Sequence, residues 1–317
     1  MQAEGFFVKR LLKNTEFEIF PIIMGSDYFG DAIPEETAFA NMDLYIENGG
    51  NIIDTARLYV GGKSEEIIGK YLKSRNLKNK LIISTKAAHP PVGHMEINRL
   101  SREEIEKDVD TSLSLLGVDA IDILWLHRDD HSVPVESVAE AMNYIVEKGK
   151  VKYWGVSNWQ GARMEKLNDY AKANNMPPIF GGQIQWSLAK TSHIYDPTLV
   201  AMNDVEREFY QKYDIPIFAF ASQGKGFFEK YDQNALSPKA TERYYCEENI
   251  KTYHILKKIS NETGYSLTAL GLAYLIKQKD FDVFPIIGCT KSEYVTKAMD
   301  AFKVDDATAN ELLKIKP

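Results

Sequence analysis

Four side chains in this sequence are of types that, brought together, pass a proton to an oxygen: Asp54, Tyr59, Lys86 and His127. Asp54 closes the run Gly50-Asn51-Ile52-Ile53-Asp54, and Tyr59 follows in the next loop. Lys86 closes Ile82-Ile83-Ser84-Thr85-Lys86, and His127 closes Leu124-Trp125-Leu126-His127. An ammonium beside a phenol favours phenolate and is expected to draw the tyrosine pKa down from roughly 10. A carboxylate beside that ammonium holds it in place and keeps it charged. The phenol can then donate a proton to a carbonyl oxygen becoming an alkoxide, and the imidazole can give the same oxygen a second hydrogen bond. The set suits reduction of a C=O if something else supplies hydride.

The elements that must position these groups alternate along the chain. Short apolar, β-branched runs predict strands at Ile19–Met24, Asn51–Asp54, Leu81–Thr85, Ile121–Leu126, Val151–Val156, Phe180–Gln185, Pro216–Phe220 and Val283–Ile287. Amphipathic stretches predict helices near 35–48, 63–74, 102–116, 135–148, 160–174, 197–213 and 247–276, with a last one from 291. Ser101 stands three residues before Glu104, the spacing of a capping box. Each parallel strand needs a crossover, so repeated strand-then-helix units predict a (β/α)8 TIM barrel. No linker rich in Pro, Gly or Ser divides 1–317, which reads as one barrel domain. A doubly wound sheet would carry a Gly-rich turn after its first strand, and Met24-Gly25-Ser26-Asp27 does not. The ends of the second, third and fourth strands then carry the four groups, with Tyr59 in the loop after the second, and neighbouring strands ~4.8 Å apart bring them within about 10 Å. Residues 221–246 show little periodicity and read as a long functional loop on the same barrel face.

The chain has 317 residues, with 44% hydrophobic and 26% charged side chains, an ordinary globular usage. Lys plus Arg is 38 and Asp plus Glu is 45, giving a net charge of −7. Such a balance argues against a nucleic-acid partner held through phosphates. Cys246 and Cys289 form no disulfide framework, no apolar run is long enough for a bilayer span, and Met1 to Leu12 lacks the apolar core of a signal peptide. A cytoplasmic protein without membrane attachment is expected. Gly61-Gly62-Lys63-Ser64 resembles the end of a phosphate-binding P-loop, but Arg57 stands where that pattern needs glycine. The six histidines lack metal-site spacing, so no metal is expected.

These segments resemble the aldo-keto reductase family, and the likeness runs through nearly the whole chain. Asp54-Thr55-Ala56-Arg57-Leu58-Tyr59 with Ser64-Glu65-Glu66-Ile67-Ile68-Gly69 resembles its DTAxxYG and SExxxG signatures, and Gly155-Val156-Ser157-Asn158-Trp159 its GVSN-aromatic segment. The resemblance implies a (β/α)8 barrel with an N-terminal β-hairpin cap and a C-terminal helix, and a catalytic tetrad of Asp54, Tyr59, Lys86 and His127. It implies a nicotinamide cofactor, NADP with NAD as the alternative. By family pattern Ser157, Asn158 and Gln183 meet the carboxamide, and Phe220 stacks on the ring. Ala221, Ser222, Gly224 and Gly226 line the pyrophosphate, with Gly288, Thr290 and Lys291 at the adenosine end. Three positions depart from the pattern: Val60 for the glycine after the tyrosine, Thr290 for an arginine and Ala298 for an asparagine. Lys297 is the candidate replacement for part of that last pair.

A small-molecule carbonyl or alcohol is the expected partner. Asp27, Tyr28, Arg128, Asp130 and Trp159 are its candidate contacts. The polar run Arg128-Asp129-Asp130 suggests a hydroxylated substrate such as a sugar or sugar-derived carbonyl. The alternative reading is a nicotinamide-binding, redox-sensing regulatory subunit with little turnover, which the family also contains. The sequence leaves the oligomeric state open.

Overall fold

The computed structural model describes residues 9–193 and 196–315. Among these residues ten strands run in chain order: β1 Arg10–Leu11, β2 Glu18–Ile19, β3 Ile23–Gly25, β4 Ile52–Asp54, β5 Ile82–Ala87, β6 Ile121–Leu126, β7 Val151–Ser157, β8 Gly182–Gln185, β9 Ile217–Phe220 and β10 Val283–Ile287. β3 to β10 close into a parallel eight-stranded barrel in sequence order, with β10 returning to pair with β3. Helices cover its outside, so the fold is the (β/α)8 barrel the alternation predicts.

Strand alternation sets which side chains point inward. Ile123 and Trp125 of β6 enter an interior cluster with Ile23, Ile52, Phe180, Phe218 and Phe284, while Leu124 and Leu126 join the outer core under the helices. The β1–β2 hairpin is antiparallel, pairing Arg10 with Ile19 and Leu11 with Glu18. Its Leu12 and Ile19 are fully buried in that interior cluster, so the hairpin stoppers one end of the barrel. The other end carries Asp54, Lys86 and His127, because parallel strands all deliver their C-terminal ends to one rim.

Four boundaries differ from the sequence expectation. The first predicted strand is two elements: residues up to Ile19 belong to the hairpin, and Ile23 starts the barrel after a bend containing Pro21. The stretch 197–213 is helical only from Asp204, where the Asn203 side chain accepts the Glu206 N–H at 3.0 Å. The stretch 247–276 is two helices, Glu247–Thr263 and Leu267–Ile276, because Gly264 takes a left-handed conformation (φ +80°) and ends the first. Residues 221–246 are not one loop: they contain a 3₁₀ turn at Gly224–Gly226 and helices Phe227–Asp232 and Pro238–Tyr244. Ser101 does cap its helix, accepting from the Glu104 N–H at 3.3 Å. The C-terminal helix is Asp306–Leu312.

Candidate active site

The four side chains singled out in the sequence lie together at the C-terminal rim. Asp54 ends β4 and is 2% exposed. Lys86 on β5 is equally buried, donates to Asp54 Oδ1 and gives a second bond to the Thr55 carbonyl at 2.7 Å. Tyr59 opens the turn Tyr59–Gly62, and the Lys86 ammonium sits 4.8 Å from its ring centroid. The His127 ring follows β6 and meets Tyr59 edge-on, 5.9 Å between centroids. The His89 ring covers another side of His127 at 4.6 Å.

Burial opposes the charge on Lys86, but the Asp54 carboxylate, followed by Tyr59, outweighs it and holds the lysine pKa above its ordinary value. The Tyr59 phenol does not titrate low as expected. Burial pushes its pKa up by more than the Lys86 ammonium pulls it down, and the charges of Asp54 and Asp27 add to the rise. Burial, with the charge of Arg128 and the His89 and Lys86 neighbours, drives the His127 pKa well below 6.5. His127 is therefore neutral, and its buried Nδ1 has no hydrogen-bond partner among the described residues. The arrangement holds a protonated phenol against a fixed ammonium beside a neutral imidazole. That combination is chemically able to donate a proton and to stabilise the phenolate left behind.

The residues predicted for a cofactor line the next strands round the barrel. Ser157 ends β7 and Gln183 lies on β8, both 1% exposed. The Asn158 amide is engaged within the protein: it donates to Ser157 Oγ and to the His127 carbonyl, and it accepts the Val200 N–H at 3.2 Å. Gln183 donates to Asp54 Oδ2 at 3.0 Å, which ties this position to the tetrad. Phe220 ends β9 on the same strand face as the buried Phe218 and so looks into the barrel mouth. Beyond it Ala221, Gly224, Lys225 and Gly226 all have positive φ, and the amides of Ser222 and Gln223 have no hydrogen-bond partner among the described residues. Such a concave run of amides fits an anion. Ser222 Oγ donates to the Ile286 carbonyl at 2.6 Å. Gly288 and Thr290 are exposed beside the N-terminus of helix Ser292–Met299, as is Lys291, 3.8 Å from Glu293. Lys297 is paired with Glu229 at 2.9 Å, so it is committed elsewhere.

The predicted substrate contacts divide. Asp27 and Tyr28 stand at the mouth. Asp27 has solvent-accessible surface, yet the surrounding protein desolvates its carboxyl enough to raise the pKa, against the pull of Lys225 and Lys86. Tyr28 accepts from Lys225 Nζ at 3.3 Å across the mouth. The run after His127 is used internally. Arg128 donates to Thr198 Oγ1 and the His127 carbonyl, each at 3.0 Å, and faces Asp196 at 3.5 Å. Asp129 pairs with Arg163 at 2.7 Å, and Asp130 Oδ1 accepts from the Ser132 N–H and hydroxyl. Trp159 does not offer a free face: it is 1% exposed, and the Arg163 guanidinium lies 4.9 Å from its ring. Sequence reasoning missed Ser84, whose hydroxyl donates to Asp54 Oδ2 at 2.8 Å. Its signal was available, since it lies two residues before Lys86 and so shares the inward face of β5. It also missed Asp196 and Thr198, whose approach to Arg128 depends on a loop path with no local pattern.

A sequence model of the aldo/keto reductase family matches residues 21–316. The chain belongs to that family. Similar proteins include norsolorinic acid reductase B of Dothistroma septosporum, 27% identical over 93% of this chain and 77% of that protein. An aryl-alcohol dehydrogenase of Pestalotiopsis microspora is 26% identical over 96% of this chain and 80% of its own length. A putative aryl-alcohol dehydrogenase of Saccharomyces cerevisiae is 28% identical over 93% and 82%. This aldo/keto reductase is thus an oxidoreductase, from a family that generally uses NAD(P)H. Among the described residues no helix is long and apolar enough to cross a membrane.

Proposed function

We propose that this aldo/keto reductase interconverts a carbonyl compound and an alcohol, with Tyr59 moving the proton. The observation that carries the reading is the buried Lys86–Asp54 pair set against Tyr59, with neutral His127 at its edge. In the reducing direction the Tyr59 hydroxyl gives its proton to the carbonyl oxygen, and Lys86 stabilises the phenolate that remains. Asp54 keeps Lys86 charged and stationary. His127 orients the same oxygen through one N–H, as a hydrogen-bond donor and not as an acid.

A nicotinamide cofactor, when bound, supplies or accepts the hydride. Ser157 and Gln183 would hold its carboxamide, with Asn158 acting from behind as the brace between Ser157 and His127. Phe220 would lie against the ring. The free amides of Ser222 and Gln223, between left-handed Ala221 and left-handed Gly224 to Gly226, suit a pyrophosphate. The Lys291 ammonium beside a helix N-terminus suits a 2′-phosphate, so NADP is proposed over NAD. With Arg128, Asp129 and Asp130 occupied by internal bonds, the charged groups that suggested a sugar are largely spent. Aryl carbonyls and alcohols, the class in the names of two relatives, are the better-supported substrates.

Tyr59→Phe tests the reading. The expected loss in kcat is about 10²–10⁴, with cofactor affinity close to wild type. Loss of cofactor binding together with activity would make Tyr59 a structural residue. Fluorescence titration with NADPH and NADH tests the cofactor: tighter NADH binding would remove the role given to Lys291, and binding of neither would remove the nicotinamide site. Turnover of aldoses in preference to aryl aldehydes would return the substrate to the sugar class.

A further inference from the structure

The carboxylate that anchors Lys86 is itself held from beneath by a buried chain of donors. Asp54 and Ser84 are cross-strand partners on β4 and β5, and Trp125 on β6 is the partner of Lys86. Ser84 and Trp125 are both fully buried in the barrel interior. The indole Nε1–H donates to Ser84 Oγ at 2.8 Å. An indole nitrogen can only donate, so Ser84 must accept from Trp125 and keep its one hydrogen for Asp54 Oδ2. The direction of both bonds follows from chemistry alone.

We infer that Ser84 is a positioning residue for Tyr59, acting through Asp54 and Lys86, with the Trp125 indole fixing the direction of its hydroxyl. The inference rests on the reading of Tyr59 as proton donor. A buried carboxylate needs its lone pairs matched by donors. Among the described residues Asp54 has three: Lys86 on Oδ1, and Ser84 and Gln183 on Oδ2. Together they set the plane of the carboxylate. That plane sets the seat of Lys86 Nζ, whose three hydrogens are then allotted. One goes to Asp54, one to the Thr55 carbonyl, and the third is left for Tyr59. Without the Ser84 hydroxyl, Oδ2 is held by Gln183 alone, the carboxylate can turn about its Cβ–Cγ bond, and the ammonium turns with it. The chain meets the cofactor side only at Gln183, whose own bond to Oδ2 remains when the Ser84 hydroxyl is gone, so its loss should fall on the proton-transfer step far more than on binding.

The test is steady-state kinetics of the full-length protein with NADPH and benzaldehyde, beside a thermal melt of each variant. Ser84→Ala should lower kcat by about ten- to a hundredfold, the worth of one hydrogen bond to a charged group. Its KM and cofactor Kd should stay within about twofold of wild type. Ser84→Thr, which keeps the hydroxyl, should recover most of the rate. Trp125→Phe should lose less than Ser84→Ala, and the double variant should be no slower than Ser84→Ala, because the indole acts only through the serine. Additive losses, or a loss that Ser84→Thr does not recover in a folded protein, would mean packing alone and overturn the inference. If Ser84→Ala does not fold, Trp125→Phe decides, and an unchanged kcat there overturns it. Tyr59→Phe separates the two levels. Wild-type rate in that variant sinks the proton-donor reading and this inference with it; an inactive Tyr59→Phe beside a fully active Ser84→Ala sinks the inference alone.

Discussion

Burying a lysine is costly unless a carboxylate sits against it and both are hydrogen-bonded. Asp54 meets that condition for Lys86, and the pair was visible in the sequence as two charged strand ends. What could not be read there was the balance at Tyr59, where burial outweighs the neighbouring ammonium and keeps the phenol protonated. Desolvation depends on how many atoms surround a group, which no local pattern records. The same term governs His127. Its imidazole stays neutral in the fold, while in the unfolded chain it takes up a proton below the ordinary 6.5. Acidification from pH 7 therefore removes stability, beginning near 6.5 and continuing down to the lowered native pKa. His89 is shifted the same way, chiefly by burial. Urea unfolding at stepped pH should show that His127→Gln loses less stability than wild type between about pH 7 and pH 5. An equal acid slope in the two proteins would mean that His127 is protonated in the fold.

At the scale of elements, the turn carrying Tyr59 is built under strain. Val60 stands at φ 49° and ψ 42°, left-handed backbone that a β-branched residue rarely adopts. The absent glycine noted in the sequence is thus a departure that the backbone did not avoid. Val60→Gly relieves about 1–2 kcal/mol of left-handed strain and returns part of it as unfolded-chain entropy. The expected outcome is a net gain of about 1 kcal/mol in chemical denaturation. A loss would show that contacts of the valine side chain outweigh the strain. Most helices were legible from periodicity and caps, as at Ser101. The non-helical path of residues 196–203 was not, because Arg128, Gln185 and Asn158 hold it from distant parts of the chain.

At the scale of the whole molecule, the barrel closes where β10 meets β3, at Ile286 against Ile23 and Ile287 against Met24. This seam is short beside the β6–β7 ladder, which pairs from Ile121 to Leu126. The closure depends on a close approach at Gly25, where a Cβ would lie 2.8 Å from Ile286 Cγ2 and 3.1 Å from the Ile287 carbonyl oxygen. Gly25→Val should therefore destabilise the fold by about 1–3 kcal/mol through overpacking, read as a lower urea midpoint. A midpoint equal to wild type would show that the seam gives way freely. Gly288 follows β10 directly, so the same variant should weaken cofactor binding, whereas Val60→Gly should not.

The sequence by itself determined the barrel class and the shared rim position of Asp54, Tyr59, Lys86 and His127. Both follow from local pattern, because an apolar run must become a strand, a parallel strand needs a crossover, and strand ends share a rim. Only the tertiary structure decided what those residues experience. It placed Ser84 and Trp125 under Asp54, committed Arg128, Asp129 and Lys297 to internal pairs, and buried Trp159. Pairing, burial and competition for hydrogen-bond partners join residues far apart in the chain, and they take their values only once the barrel has closed.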